Sequence, residues 1–434
     1  MRPRHPALAL ALALVLTASL AACSTATSTP SPSPPTTAPP SAPPVTAPAT
    51  PAASARPLAE VYAKIRTQVA TIRGMQPTDA VEPVVIDAGQ LSKNLEAEFD
   101  ATHPAGSLTD TEDLLITLGL LPPDSSLRAL TLAFQAGQVA GYYSPEKDQL
   151  FVVSRTTAVG PADESTYAHE FTHQLQDQRF DLDALGIDDS DQSDRSLARL
   201  ALVEGDATSV QTTWMTEHLT PAELGEVFAA ALDPAAMAAF NNAPPYLRET
   251  ALFPYQDGLA LVMRLLGTGG YAAVDAAFAD PPDSTEQVLH PDKYVTREAP
   301  VVVEIPDGIE KRLGAGWSEV GQDTLGELLI RVWLKIGGRS TFELAKEAAG
   351  WGGDRLALYR DANGETIVVL VSVWDSIGDA QEFSGAVLAV EDATRRDIAV
   401  SESGNRVAIA LASAGALAKV DAALDFDLSS IDTK

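Results

Sequence analysis

Between Tyr167 and Leu175 the chain reads Tyr-Ala-His-Glu-Phe-Thr-His-Gln-Leu, which contains the spacing H-E-x-x-H. On a helix, positions four apart lie on one face, so His169 and His173 can offer two imidazole nitrogens to a single ion. Glu170 stands beside them, a carboxylate placed to take a proton from a water activated at that ion. A catalytic zinc takes three protein ligands and keeps its fourth position for water, so a third donor must come from elsewhere.

That donor is sought where a carboxylate sits against the local pattern. From Arg195 to His218 the chain has helical spacing, with Leu197, Leu200, Ala201, Val203, Ala207, Val210 and Trp214 on its apolar face. Glu204 falls inside that face, followed by the helix-interior Gly205, and both choices cost stability. A zinc ion held by His169 and His173 would give Glu204 its partner. Asp206 and His218 are the rival third ligands. Gly205 is expected to let this helix approach the H-E-x-x-H helix closely.

With two His and one Glu as ligands, zinc would bring the pKa of its water toward neutrality. Glu170 would accept the proton as the carbonyl is attacked and pass it to the leaving amine. A donor for the developing oxyanion must come from later in the chain. Residues 284–294 read Ser-Thr-Glu-Gln-Val-Leu-His-Pro-Asp-Lys-Tyr, and His290 or Tyr294 could serve; Tyr255 is a third candidate. The same stretch also reads as a short helix capped by Ser284 or Thr285.

The order strand, H-E-x-x-H helix, loop, Glu-bearing helix over residues 137–218 resembles the gluzincin class of zinc metallopeptidases. The resemblance implies a zincin-like domain, zinc bound by His169, His173 and Glu204, and Glu170 as general base. In the commonest gluzincin form an Asp follows the Glu by four positions; here that position is Thr208 and the acid is Asp206. The pattern therefore does not assign the group that orients His169. The Ser-Thr-Glu-Gln, His-Pro and Lys-Tyr run further resembles a group of bacterial exported H-E-x-x-H proteins over roughly residues 130–390.

Around these residues the spacing predicts helices over 58–72, 90–100, 109–120 and 126–134, then two short strands within 139–143 and 149–153 joined by a turn at Pro145. The motif helix is expected to run to about Arg179, opened by Asp163, Glu164 and Ser165. Residues 181–194, rich in Asp and Ser, read as a solvated loop. Helical spacing follows at 221–240, from Pro254 to Leu266 and at 271–278. From Val301 the character changes to helices at 324–336 and 340–349, a hairpin across Asn363-Gly364, a helix at 376–390 and a hairpin across Gly404-Asn405. The expected fold class is α+β, with a mainly helical peptidase domain carrying a small edge sheet at 57–300 and an α+β module at 301–434.

The 434 residues are 45% hydrophobic and carry a net charge of -29, with a pI near 4.4. No Lys/Arg cluster offsets that charge, which argues against a nucleic-acid partner; the peptide or protein substrate is what the gluzincin resemblance implies. Arg2 and Arg4 precede an apolar run from Ala7 to Leu20, shorter than a membrane span, and then Ala21, Ala22 and Cys23. Small residues before the chain's one cysteine resemble the lipobox of bacterial lipoproteins. This implies export and attachment to the outer face of the cell membrane through lipidated Cys23. Residues 24–56, almost wholly Ser, Thr, Pro and Ala, read as an extended tether. Two other classes remain in view: an envelope protein that keeps the fold without turnover, and a structural lipoprotein with no metal.

Overall fold

The structure, a computed structural model, describes residues 58–431 apart from 80–81, 104–105, 107, 154–158, 188, 190–191 and 413–414. The leader, Cys23 and the tether lie outside the described residues. The chain has an α+β fold with two sheets. The smaller sheet has the order β1 (Val84–Ile86), β3 (Gln149–Val153), β2 (Gly141–Ser144), with β1 parallel to β3 and β2 antiparallel to it. The strand pair expected around Pro145 is present, whereas β1 has no counterpart in the sequence pattern. The larger sheet is fully antiparallel, in the order β4 (Ser318–Asp323), β5 (Trp351–Arg360), β6 (Thr366–Trp374), β8 (Arg406–Ala412), β7 (Asp397–Ser403).

Two long helices carry the motif residues. The first, Pro161–Phe180, starts after Gly160, whose backbone N–H donates to Asp163 Oδ2 at 2.8 Å, with Pro161 in the first turn where a missing N–H costs nothing. Every residue from Ser165 to Gln176 on it is buried, so the helix runs through the interior rather than along a surface. Strand β2 crosses it so closely that a Cβ on Gly141 would stand 2.7 Å from Thr166 Cγ2 and 3.3 Å from Glu170 Cγ. The second helix, Ser193–His218, carries Glu204.

Gly205 does not serve the contact between these two. A Cβ there would fall 2.2 Å from the carbonyl oxygen of Gly258, and one on Gly258 would fall 2.1 Å from that of Ala201. The close approach is to the helix Pro245–Gly269, which also runs through Pro254 instead of starting there. Geometry explains the correction: Gly205 lies about 100° around the helix from Glu204, so both cannot face the same neighbour.

The larger sheet buries Trp351, Leu356, Leu358, Val368, Leu370 and Ile409 against Trp333 and Phe383 of the helices in the C-terminal module. The helix Thr109–Leu118 contributes Leu115 and Leu118 to that same core, and Trp333 Nε1 donates to the Leu118 carbonyl at 3.1 Å. The motif helices pack in two further cores, one built on Tyr167, Phe171 and Leu175 with the helix Leu58–Arg73, the other on Ala198, Leu202 and Phe253. No described helix is long and apolar enough to cross a membrane.

Candidate metal centre

The two helices bring the expected ligands together. His169 Nε2 lies 3.1 Å and His173 Nε2 3.4 Å from Glu204 Oε2, and the two Nε2 atoms are 3.0 Å apart. All three side chains are buried. Tetrahedral zinc with bonds of 2.0–2.1 Å sets neighbouring donor atoms about 3.3 Å apart, which this triangle matches. Among the described residues, no lysine or arginine stands within the triangle's own contacts. The donor set, two imidazoles and one carboxylate, therefore fits a zinc ion.

Glu170 is fully buried, with no side chain bonded to its carboxylate and the Tyr143 backbone amide facing it. Burial pushes its carboxyl up to about 8, opposed by His173 and reinforced by the Glu204 charge. For Glu204 burial acts in the same direction, but His173 and His169 outweigh it and hold the group down at about 2. Burial also opposes charge on His173, where Glu204 and Glu170 prevail and carry it up to about 9. His169, shifted chiefly by burial, lies below the ordinary imidazole value. Without metal, the site thus holds an ionised Glu204 against a protonated His173.

The other sequence candidates lie apart from this triangle. Asp206 faces away from it: its Oδ2 accepts from Arg73 Nε at 2.9 Å and from Gln176 Nε2 at 2.9 Å. Two residues along a helix is a turn of about 200°, so Glu204 and Asp206 cannot both point at one ion. His218 ends its helix beside Trp214, with ring centroids 6.1 Å apart. Tyr294 donates its hydroxyl to the Asp280 carbonyl at 2.8 Å and lies under the Arg297 guanidinium. His290 Nε2 contacts Glu327, 3.1 Å from one oxygen and 3.0 Å from the other, and Glu327 also bonds Arg331. His290 is taken up in the joint with the C-terminal module and Tyr294 in packing within its own region, and both stand outside the metal triangle. Tyr255 is the oxyanion candidate that reaches it, with its ring stacked on His169 at 6.0 Å.

The Ser-Thr-Glu-Gln run does cap a short helix, Thr285–Leu289, through Ser284, which accepts from the Gln287 amide at 3.3 Å. Thr285 Oγ1 donates to Asp194 at 2.5 Å and accepts from Leu328 N at 3.2 Å, tying the first turn of the Glu204 helix to the C-terminal module.

Two side chains that sequence reasoning missed stand directly behind the triangle. His173 Nδ1 is 2.8 Å from Gln176 Oε1, and Arg73, 1% exposed, holds Asp206 and reaches Asp275 Oδ1 at 2.6 Å. Gln176 lies three residues beyond His173, a spacing that puts it on the same helix face. Arg73 carries the matching signal, a charge continuing the apolar row Tyr62, Ile65 and Val69.

On one side, the triangle meets a water-sized cavity of about 10 Å³ between Tyr143 of β2, Pro145 of the β2–β3 turn and Leu182, Ile187 and Leu200. Larger cavities of about 340 Å³, beside Tyr246 and β4, and about 150 Å³, beside Asp194 and Trp351, include none of the triangle residues.

Residues 311–421 match a family described as a domain of unknown function, DUF8575. That match lies wholly within the C-terminal module and does not reach the metal triangle. No curated protein and no solved structure matches the chain.

Proposed function

We propose that the protein is a zinc-dependent peptidase of gluzincin type that hydrolyses peptide bonds at the cell envelope, exported and anchored through lipidated Cys23. One observation carries the reading: His169, His173 and Glu204 converge at 3.0–3.4 Å with the buried carboxylate of Glu170 beside them. Zinc bound there would supply a Lewis acid and lower the pKa of a water. Glu170 takes the proton of the attacking water. Burial, which disfavours charge on its carboxyl, favours passing that proton on to the leaving amine. Tyr255, stacked on His169, would be the donor for the developing oxyanion.

A second reading, a zinc-holding envelope protein without turnover, is favoured by the burial of all four motif side chains, each no more than 1% exposed. Peptide-library cleavage by wild type and Glu170→Gln separates the two. A peptidase loses about 10²–10⁴-fold in kcat in the variant while keeping its zinc. Cleavage that is absent from zinc-loaded wild type, or equal in the variant, refutes the peptidase.

A further inference from the structure

Gln176, Asp206 and Arg73 stand behind the metal triangle in a chain of polar contacts, and the chain has a direction. The Gln176 amide has one donor end and one acceptor end. Its Nε2 donates to the Val203 carbonyl at 3.0 Å and to Asp206 Oδ2 at 2.9 Å, two groups that accept. The end facing His173 Nδ1 at 2.8 Å is therefore the carbonyl Oε1. A carbonyl cannot donate, so Nδ1 must carry a proton. In neutral His173 the lone pair then falls on Nε2, the atom that faces His169 and Glu204.

A reversed amide would present its NH₂ to Nδ1, move the imidazole proton to Nε2 and remove the lone pair a metal needs. Asp206 resists that reversal because its Oδ2 accepts. That oxygen is held by Arg73 Nε at 2.9 Å, with both side chains fully buried. Arg73 is fixed in turn by Asp275 and by the Tyr271 ring, 4.6 Å from its guanidinium carbon. His169 is not reached by this chain; the side chain beside it is Gln211, whose Nε2 donates to Ser165.

We infer that Gln176, Asp206 and Arg73 are positioning residues that lock His173 in its metal-binding tautomer, so that the helix Leu58–Arg73, remote in sequence from the motif, sets the affinity of the metal centre. The inference rests on the zinc reading above. It also accounts for the departure from the commonest gluzincin pattern, because the acid at Asp206 acts on His173 through an interposed amide.

The test measures zinc affinity by competition with a chromophoric chelator, with the melting temperature of each metal-free protein as control. Asp206→Leu removes the acceptor that orients the amide, and Gln176→Met removes the relay; each should weaken zinc by about 10–100-fold. In Asp206→Asn one amide oxygen can take the place of the Oδ2 that Arg73 and Gln176 share, so this conservative variant should bind zinc within about threefold of wild type, a rescue that a mere loss of folding stability would not produce. If Gln176→Met does not fold, the two Asp206 variants carry the test. Asp206→Leu and Gln176→Met proteins that bind zinc within about threefold of wild type, or an Asp206→Asn protein as weak as Asp206→Leu, overturn the relay. A wild type that binds no zinc overturns the relay and the zinc reading together; a zinc-binding wild type with indifferent variants overturns the relay alone.

Discussion

Two clusters of candidate metal ligands inside this chain invite comparison. At one, His169, His173 and Glu204 gather two nitrogens and one oxygen within 3.4 Å of each other, all buried, with no described lysine or arginine between them. At the other, Glu286, Glu298 and Asp375 gather three oxygens around the Lys293 ammonium at 2.7, 2.7 and 2.9 Å, and two of those three carboxylates are exposed. Proximity of candidate ligands is common to both. The difference lies in what neutralises them: Lys293 balances the second cluster from within the chain, whereas the first is left to a proton on His173 or to an ion from solution. The second cluster is a joint between the Thr285–Leu289 region and the C-terminal module, and the first has the donors and spacing of a metal site.

The largest expected effect follows from taking a donor out of the first cluster. His169→Ala and Glu204→Ala should each weaken zinc on the order of a hundredfold or more, read by chelator competition. Next comes pH. The pKa of His173, raised to about 9, means that zinc uptake near pH 7.5 displaces a proton. Affinity should therefore climb by about tenfold per pH unit and flatten above about 9, and calorimetry in buffers of different ionisation enthalpy should register about one proton released. The same shifts give the pH window of the metal-free protein. A raised His173 stabilises the fold below about 6.5, and that contribution is lost as pH rises through about 9. A depressed Glu204 stabilises above about 4.5, and that is lost as pH falls toward about 2. Denaturant melts of metal-free protein from pH 3 to pH 10 should show both edges, and Glu204→Gln should erase them.

The smallest effect belongs to the second cluster. Lys293→Met leaves its three carboxylates unbalanced and should cost about 1–3 kcal/mol in denaturant titrations, between the values for exposed and buried ion pairs. Zinc content should stay as in wild type. A Lys293→Met protein that binds a second zinc would erase the distinction between the two clusters.

Much of this site is legible in sequence because helical spacing is a geometric statement. His169 and His173 must share a face, and Glu204 is conspicuous as a carboxylate in an apolar row. The same geometry, taken two residues at a time, sets Asp206 and Gly205 on other faces; nearness in sequence alone misplaces them. His290 and Tyr294 illustrate a different gap, since residue types suited to an oxyanion donor equally suit an ion pair or a packed, hydrogen-bonded ring, and only tertiary placement separates them. The α+β class follows from the switch between helical and alternating periods. Strand β1 escapes because three residues carry no period, and β5 starts earlier than its spacing suggests because Gly350-Trp351-Gly352-Gly353 looks like a break. There the glycine serves close approach instead: a Cβ on Gly353 would lie 2.1 Å from the Val301 carbonyl oxygen.

The most direct test of the zinc centre is the metal content of natively purified protein, measured by elemental analysis for wild type and Glu204→Ala. A zinc site of three protein ligands predicts about one zinc per chain in wild type and far less in the variant. Wild type well below one equivalent, or a variant that keeps its full zinc, would contradict it.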